Sequence, residues 1–391
     1  MPQGVDSEPL ARWTKPPVQD ERGVYPEREF AEALADAGLV LSAAPMMDGN
    51  LHRVPAVGDE PGQKSGAYVG HLDGHPAGFI QNYKTGYESK WKSNARMARL
   101  SQEERERLEA EAEKRKVERE QERQHLADET ALLVAAVWSA SELAEAHPYL
   151  AAKGVQSYGL RVNTQEALAL VGNKTDEPQR WSGPGALLVP VHDADGKFLG
   201  AQSIDATGNK SFPRGSRLQG GQFIIGEPSQ SDMVLIAEGY ATAATVHELT
   251  KLPVIVAFHS GNLPAVAEAF HKRHPEKILV IAGDDDHSKP IEKNVGRLKA
   301  QEAAEKVGGY ALFPRFDKNA SGSDWNDLVK QKGPDEVRQV LKAGIGMAQI
   351  QHRAKQLRVE QEQAKEQEKQ FLKTQEAEKA PVLSEGRLLA I

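Results

Sequence analysis

MVLIAEGYATAATVHELTKLPVIVAFHSGNLPAVAEAFHKRHPEKILVIAGDDD, residues 233–286, decides the fold class of this chain. Apolar runs of strand length at 233–238, 253–258 and 277–283 alternate with helical stretches at 240–251 and 262–274. A helix over 293–307 and a strand over 310–316 continue the pattern. Such alternation predicts an α/β fold, a mostly parallel sheet covered by helices on both faces. Two of the runs close on acids: Glu238 in MVLIAEGY and Asp284, Asp285 and Asp286 in ILVIAGDDD. A third cluster, Asp324 and Asp327 in GSDWNDLV, follows at a similar interval. Open α/β sheets place ligands outside the carboxyl ends of their strands, where these acids stand. Carboxylates gathered there either repel one another or bind a divalent cation.

Each cluster has a functional reading and a plainer one. Alternate residues of a strand face one side, so Asp284 and Asp286 are expected to face one ion while Asp285 points away or caps the turn. Alone, the run reads more readily as a solvated turn before HSKP. Glu238 follows a buried run and precedes Gly239, which lets the chain turn sharply. A carboxylate there is costly unless it is paired or near a cation, although capping of the next helix is the rival reading. Asp324 fits a helix N-cap as well as a metal site. Two ions held by such acids would serve hydroxyl activation and phosphate stabilisation.

The whole chain of 391 residues has 39% hydrophobic and 27% charged residues and a formal net charge of −7, which argues against a uniformly basic nucleic-acid coat. Zero cysteines exclude disulfides, a thiolate nucleophile and a cysteine zinc ribbon. No apolar run approaches the ~18 residues of a membrane span, and MPQGVDSEPLARW lacks a signal-peptide core, so no membrane role and a cytoplasmic location are expected. GDEPGQKS (58–65) lacks Gly before Lys64 and is not a phosphate-binding Walker loop. Residues 30–91 read as short strands, with a hairpin of AYVGHL and AGFIQNY about DGHP. Ser101 and Glu104 form a capping box that opens a long charged helix, in which Leu132, Leu133, Ala136, Val137 and Leu143 are expected to dock on a core. HPYLAAKGV reads as a helix closed by Gly154, and GALLVPVHDADGKFLGAQSID as a hairpin. The basic segment NKSFPRGSRLQGG interleaves Lys210, Arg214 and Arg217 with Phe212 and offers phosphate and base contacts. Lys289, beside the aspartates, is placed to meet a triphosphate.

EGYATA (238–243), AGDDDHS (282–288) and GSDWNDLVKQKG (322–333), at these separations, resemble the Toprim domain in its DNA primase version. YLAAKGV, LLVPVHDADGKFLGAQSI and NKSFPRGSRLQGG resemble the subdomain that precedes Toprim in bacterial primases. DGNLHRVP and YVGHLDGHPAGFIQNYKTG resemble the amino-terminal region of primases carried by conjugative plasmids and phages. The resemblance implies six segments: an arm (1–24), a small α+β module (25–98), a charged helix or linker (99–146), a template- and NTP-binding subdomain (147–230), a Toprim catalytic domain (231–346) and a charged helical tail (347–391). It implies Glu238, Asp284 and Asp286 as catalytic residues, and the same three with Asp324 as ligands of Mg2+ or Mn2+, with no zinc. Asn326 stands where many relatives carry another acid, and Thr242 where some carry Asp.

The expected function is synthesis of short RNA primers on single-stranded DNA from NTPs, in plasmid or phage replication or conjugation. A Toprim nuclease and a non-catalytic adaptor are the alternatives. Expected partners through the charged helices are a relaxase, a helicase or a replication initiator.

Overall fold

The computed structural model describes residues 25–72, 75–93, 102–171, 181–317 and 320–379. The arm at 1–24, the Asp73–Gly74 turn and Ser101 of the capping box lie outside them. Two compact units divide between Arg123 and Gln124.

In the first unit, helix α1 (Pro26–Asp36) packs on an antiparallel sheet of β1 (His52–Val54), β2 (Gly66–His71), β3 (Ala77–Asn82) and β4 (Tyr87–Lys92), ordered as in the chain. Phe30 and Leu34 of α1 are fully buried against Tyr68, Ile80 and Trp91. Gly70 and Gly78 make room for the Phe30 ring, since a Cβ on either would meet it at 2.9 and 2.6 Å. Buried Asn82 ties the sheet to α1 by donating to the Ala37 carbonyl at 2.9 Å.

Helix α2 (Gln102–Ala140) follows. Pairs such as Arg107–Glu111 and Lys114–Glu118 run along its first half, where apolar residues are too sparse to bury a face. Its docked face matches the expected one only in part: Val137 is buried and Leu133 packs against the same cluster. Leu132 is 73% and Leu143 67% exposed, while Ala127, Thr130, Ala131, Val134 and Val137 are buried. Close approach of the 213–217 loop selects this smaller face: a Cβ on Gly215 would meet Leu126 at 2.8 Å and the Thr130 hydroxyl at 3.0 Å.

The second unit contains two sheets. One is antiparallel and built from β5 (Glu142–Leu143), β6 (Arg161–Val162), β7 (Leu187–His192), β8 (Phe198–Ile204) and β9 (Lys210–Ser211), with α3 (Pro148–Lys153) and α4 (Gln165–Val171) between its early strands. Gly154, in the left-handed region at φ 66°, closes α3.

The other sheet combines β10 (Phe223–Ile225), β11 (Met233–Ala237), β12 (Val254–Val256), β13 (Ile278–Ala282) and β14 (Tyr310–Leu312) in the order β10-β12-β11-β13-β14. Only β10 runs antiparallel. The strands of the alternating segment are shorter than the apolar runs, and the excess residues form the loops that carry the site. Helices α5 (Tyr240–Thr250), α6 (Leu263–Arg273), α7 (Val295–Val307), α8 (Trp325–Lys332) and α9 (Pro334–Lys379) complete the chain. Val234 and Ile236 of β11 face α6 and α7, while Met233, Leu235 and Ala237 face α5, α8 and α9. A strand buried on both faces must be apolar throughout, which is why MVLIA has no polar residue. Helix α9 is one continuous helix: Val337, Leu341, Ile345 and Ala348 bury its first turns, and the charged remainder extends beyond them.

Candidate active site

The acids come together at the carboxyl ends of β11 and β13. Glu238 follows β11 directly and accepts a hydrogen bond from the Ser260 backbone N–H. That amide is presented by the turn after β12, where Phe258 holds φ 71°, a region a non-glycine residue occupies at a cost. Burial of Phe258 and its edge contact with Phe212 at 5.8 Å hold the turn in place. Gly283, after β13, is closely confined: a Cβ there would meet Ala300 at 2.6 Å and Phe313 at 2.7 Å. The next residue, Asp284, projects toward Glu238 and Asp324.

Asp285 is the anchor of the aspartate run. It accepts from Arg297 at 2.8 Å and from Asn294 at 2.7 Å, and its N–H donates to the Ser323 carbonyl at 2.7 Å. The last bond ties the aspartate loop to the segment carrying Asp324. Asp324 caps α8, accepting from the Asp327 N–H at 2.8 Å, and lines the cleft with its other side.

The electrostatics separate the acids into a trio and an outlier. Burial pushes the Asp284 carboxyl well above its ordinary range, and Glu238 and Asp324 add repulsion. Burial also raises Glu238, against the Ser260 amide and Lys210, with Asp324 adding to the rise. Asp284 Oδ1 is buried without a hydrogen-bond partner. Asp286 instead pairs with Lys289 at 2.6 Å and accepts from the Ser288 hydroxyl at 2.7 Å, and these bonds lower its pKa. The expectation that Asp284 and Asp286 face one point does not describe this arrangement, because β13 stops at Ala282 and the Asp285 anchor and the Lys289-to-Asp286 backbone bond redirect the chain. Lys289 is accordingly engaged with Asp286.

Lys210 is the basic residue that reaches the trio. The turn before it is fixed by Asp205, whose carboxylate accepts from the Thr207 and Asn209 N–H groups at 2.8 and 2.9 Å. Solvent still touches Lys210, but it stands in a concave cleft where lost hydration and nearby Lys153 lower its pKa, against Glu238, Asp284 and Asp324. Arg214 and Arg217 lie against α2 instead. The Arg214 carbonyl accepts from Thr130, and Arg217 donates to Gln124 at 3.2 Å.

The cleft beside the acids has a volume of about 320 Å3 and is lined in part by Tyr149, Lys153, Thr207, Lys210, Thr242, Asp324 and Lys330. Tyr149, Lys153 and Lys330 were not singled out in the sequence. YLAAKG and NDLVK carry them, but spacing alone does not show that both segments reach one cleft. The Tyr149 hydroxyl is buried, and burial together with the Asp324 charge pushes its pKa up to about 12, against the Ala241 backbone amide. Asn326 has turned away from the cleft. It is buried and donates to the Lys153 carbonyl at 2.7 Å and the Thr245 hydroxyl at 2.9 Å.

Among the described residues no three carboxylate or imidazole groups enclose a metal position as they stand. The donor set nonetheless fits a hard cation: one orphaned carboxylate oxygen and neighbours that repel it. Magnesium keeps several waters and needs only one or two carboxylates when phosphates supply the rest.

The parallel strands β11 to β14, the two acidic loops and the α8 cap all fall in residues 233–335, the stretch that matches the family model described as Toprim domain. The chain is also 43% identical over 323 residues to a DNA primase TraC of Escherichia coli, and 39% identical over 325 residues to a second DNA primase TraC of Escherichia coli. Each match covers 80% of this chain, which spans 29% and 21% of those relatives. Among solved structures, the DnaG primase catalytic domain bound to ssDNA matches at 12% identity and a TM-score of 0.40, covering 56% of this chain and 80% of that one. Beside this stretch, the antiparallel sheet contributes Lys210 and the α3 segment contributes Tyr149 and Lys153.

Proposed function

We propose that this chain is the catalytic part of a DNA primase that joins ribonucleotides on a single-stranded DNA template by metal-dependent nucleotidyl transfer. The supporting observation is the junction of two opposite chemistries in one cleft. Asp324, Lys153, Lys210 and Lys330 line the cleft, and the charges of Glu238, Asp324 and Lys210 all act on Asp284. Cations of that kind suit a nucleotide's phosphates, and the carboxylates suit magnesium or manganese. In this reading Glu238, Asp284 and Asp324 hold the metal, and Asp286 joins them once Lys289 turns to a phosphate. A bound divalent ion would favour ionisation of the attacking 3′-hydroxyl and offset charge on the phosphate.

The remaining roles belong to the chain's own groups. Lys210, with its proton held less tightly than usual, contacts the phosphates, and Lys153 and Lys330 do so from the rim. Glu238, with its raised pKa, is suited to take the hydroxyl proton as the 3′-oxygen bonds to the α-phosphorus and pyrophosphate leaves. Arg214 and Arg217 serve the template path along α2. The six-segment division with boundaries at 24, 98, 146, 230 and 346 is part of the same proposal. So are a plasmid or phage setting, a cytoplasmic location, and relaxase, helicase or initiator partners. Among the described residues no helix is long and apolar enough to cross a membrane.

The test is incubation of the purified chain with single-stranded DNA, NTPs and magnesium. Short oligoribonucleotides are expected, lost in the Asp284→Ala/Asp286→Ala variant. Retained synthesis in that variant removes the assigned site. Cleavage of DNA without NTPs would reassign the chain as a nuclease, and no metal-dependent activity with stable complex formation would make it an adaptor.

A further inference from the structure

The sheet of the first unit has two unlike faces. Its register sets Tyr68 opposite Ile80 and Ser89, and Gly70 opposite Gly78 and Trp91, and this set faces α1. Alternation turns the other set away: Val69, Phe79 and Lys90 form one row, and Arg53, Gln81 and Glu88 lie in the next. Among the described residues, neither Val69 nor Phe79 belongs to a hydrophobic cluster, so their packing is not explained by the core.

Charge is divided in the same way. Helix α1 carries Glu27, Glu29, Glu32 and Asp36 against one base, Arg28, whereas among the described residues the far face of the strands carries Arg53, Lys90 and Lys92 against one acid, Glu88. Beside this face, Tyr83 is 48% exposed, with the Arg53 guanidinium 4.4 Å from its ring centroid. A pleated surface with one exposed ring, Tyr83, and one half-buried ring, Phe79, among cations matches what unstacked bases and their phosphates require. Duplex DNA keeps its base faces stacked and offers nothing to such rings.

We propose that this face binds single-stranded nucleic acid, with Phe79 and Tyr83 stacking on bases and Arg53, Lys90 and Lys92 contacting phosphates. The occupant is assigned by charge complementarity and by the paired rings; an acidic peptide would use the cations and leave the rings without a role. The site does not depend on the catalytic proposal. Its binding is measured without NTPs or metal, so either proposal can fail alone.

The test uses the full chain, labelled oligothymidylate and fluorescence anisotropy in EDTA. Phe79→Leu/Tyr83→Leu is expected to weaken binding by about fivefold or more, since each base stack contributes that much or more. Arg53→Gln/Lys90→Gln/Lys92→Gln is expected to lower the slope of log affinity against log salt by about 2, from three lost contacts at ~0.7 each. Phe79→Trp keeps a stacking ring and is expected to keep binding, which separates stacking from folding; loss in that variant while its melting temperature is unchanged overturns the stacking role. Unchanged affinity and slope in the leucine and glutamine variants overturn the proposal. So does equal weakening for duplex and single strand, or capture of an acidic peptide in preference to oligothymidylate.

Discussion

Asn326→Asp supplies the acid that the resemblance to primases leads one to expect at this position, and the structure predicts that it fails as a metal ligand. The wild-type amide donates at 2.7 Å to the Lys153 carbonyl and at 2.9 Å to the Thr245 hydroxyl, from a residue only 2% exposed. An ionised carboxylate can donate neither bond. The Lys153 carbonyl would lose its donor and face another oxygen, and an unsatisfied buried acceptor costs about 1–3 kcal/mol. The Thr245 hydroxyl fares better, because it also donates to the Ala241 carbonyl at 2.8 Å. A buried charge without a partner raises the total to about 3–5 kcal/mol. At about 2–4 °C per kcal/mol for a domain of this size, the melting temperature should fall by roughly 6–20 °C. Asn326→Ala, which loses the bonds but adds no charge, should fall by less. The assay is thermal melting by circular dichroism in EDTA and again in millimolar magnesium. A wild-type melting temperature in EDTA, or magnesium-dependent recovery, would refute the assignment of Asn326 as a brace.

Asp284→Asn should abolish primer synthesis yet stabilise the metal-free protein. The folded-state pKa of Asp284 is raised, so its ionisation opposes folding, and wild-type stability declines as pH rises from about 4 through the folded value. The margin of the variant over wild type should therefore widen with pH in melts run in EDTA; a less stable variant at pH 8 would contradict this. Asp285→Ala and Arg297→Gln should couple by about 1–3 kcal/mol in a double-mutant cycle by urea unfolding, given their 2.8 Å partly buried pair. Additive effects would remove Asp285 as anchor of the loop. Gly283→Ala should cost about 1–3 kcal/mol by overpacking against Ala300 and Phe313, and should reduce synthesis by moving Asp284. A neutral melting temperature with full activity would count against that confinement.

The sequence made the α/β core legible because buried parallel strands must be apolar on both faces and their loops must carry the polar groups. MVLIA, VIV and ILVIA announce themselves in that way, and the acids after MVLIA and ILVIA mark the ligand edge. The phase of α2 was legible only in part, since Val137 and Leu133 do lie on the docked side. Leu132 and Leu143 are the more hydrophobic residues, yet the face of Ala127, Thr130 and Ala131 is buried because Gly215 allows close approach there. Helical periodicity identifies a stripe, but the shape of the neighbour selects which stripe docks.

By itself, the sequence determined the order of strands and helices and the presence of Glu238, Asp284 and Asp324 at its loop ends. Only the tertiary structure decided which acids share a site. Strand alternation grouped Asp284 with Asp286, but β13 ends before either residue, and the bonds of Asp285 to Arg297, Asn294 and the Ser323 carbonyl set the direction of the loop. Those contacts join residues distant in the chain, as do the approaches of Lys153, Lys210 and Lys330 to one cleft. Local spacing cannot encode them, because each depends on where another segment has packed.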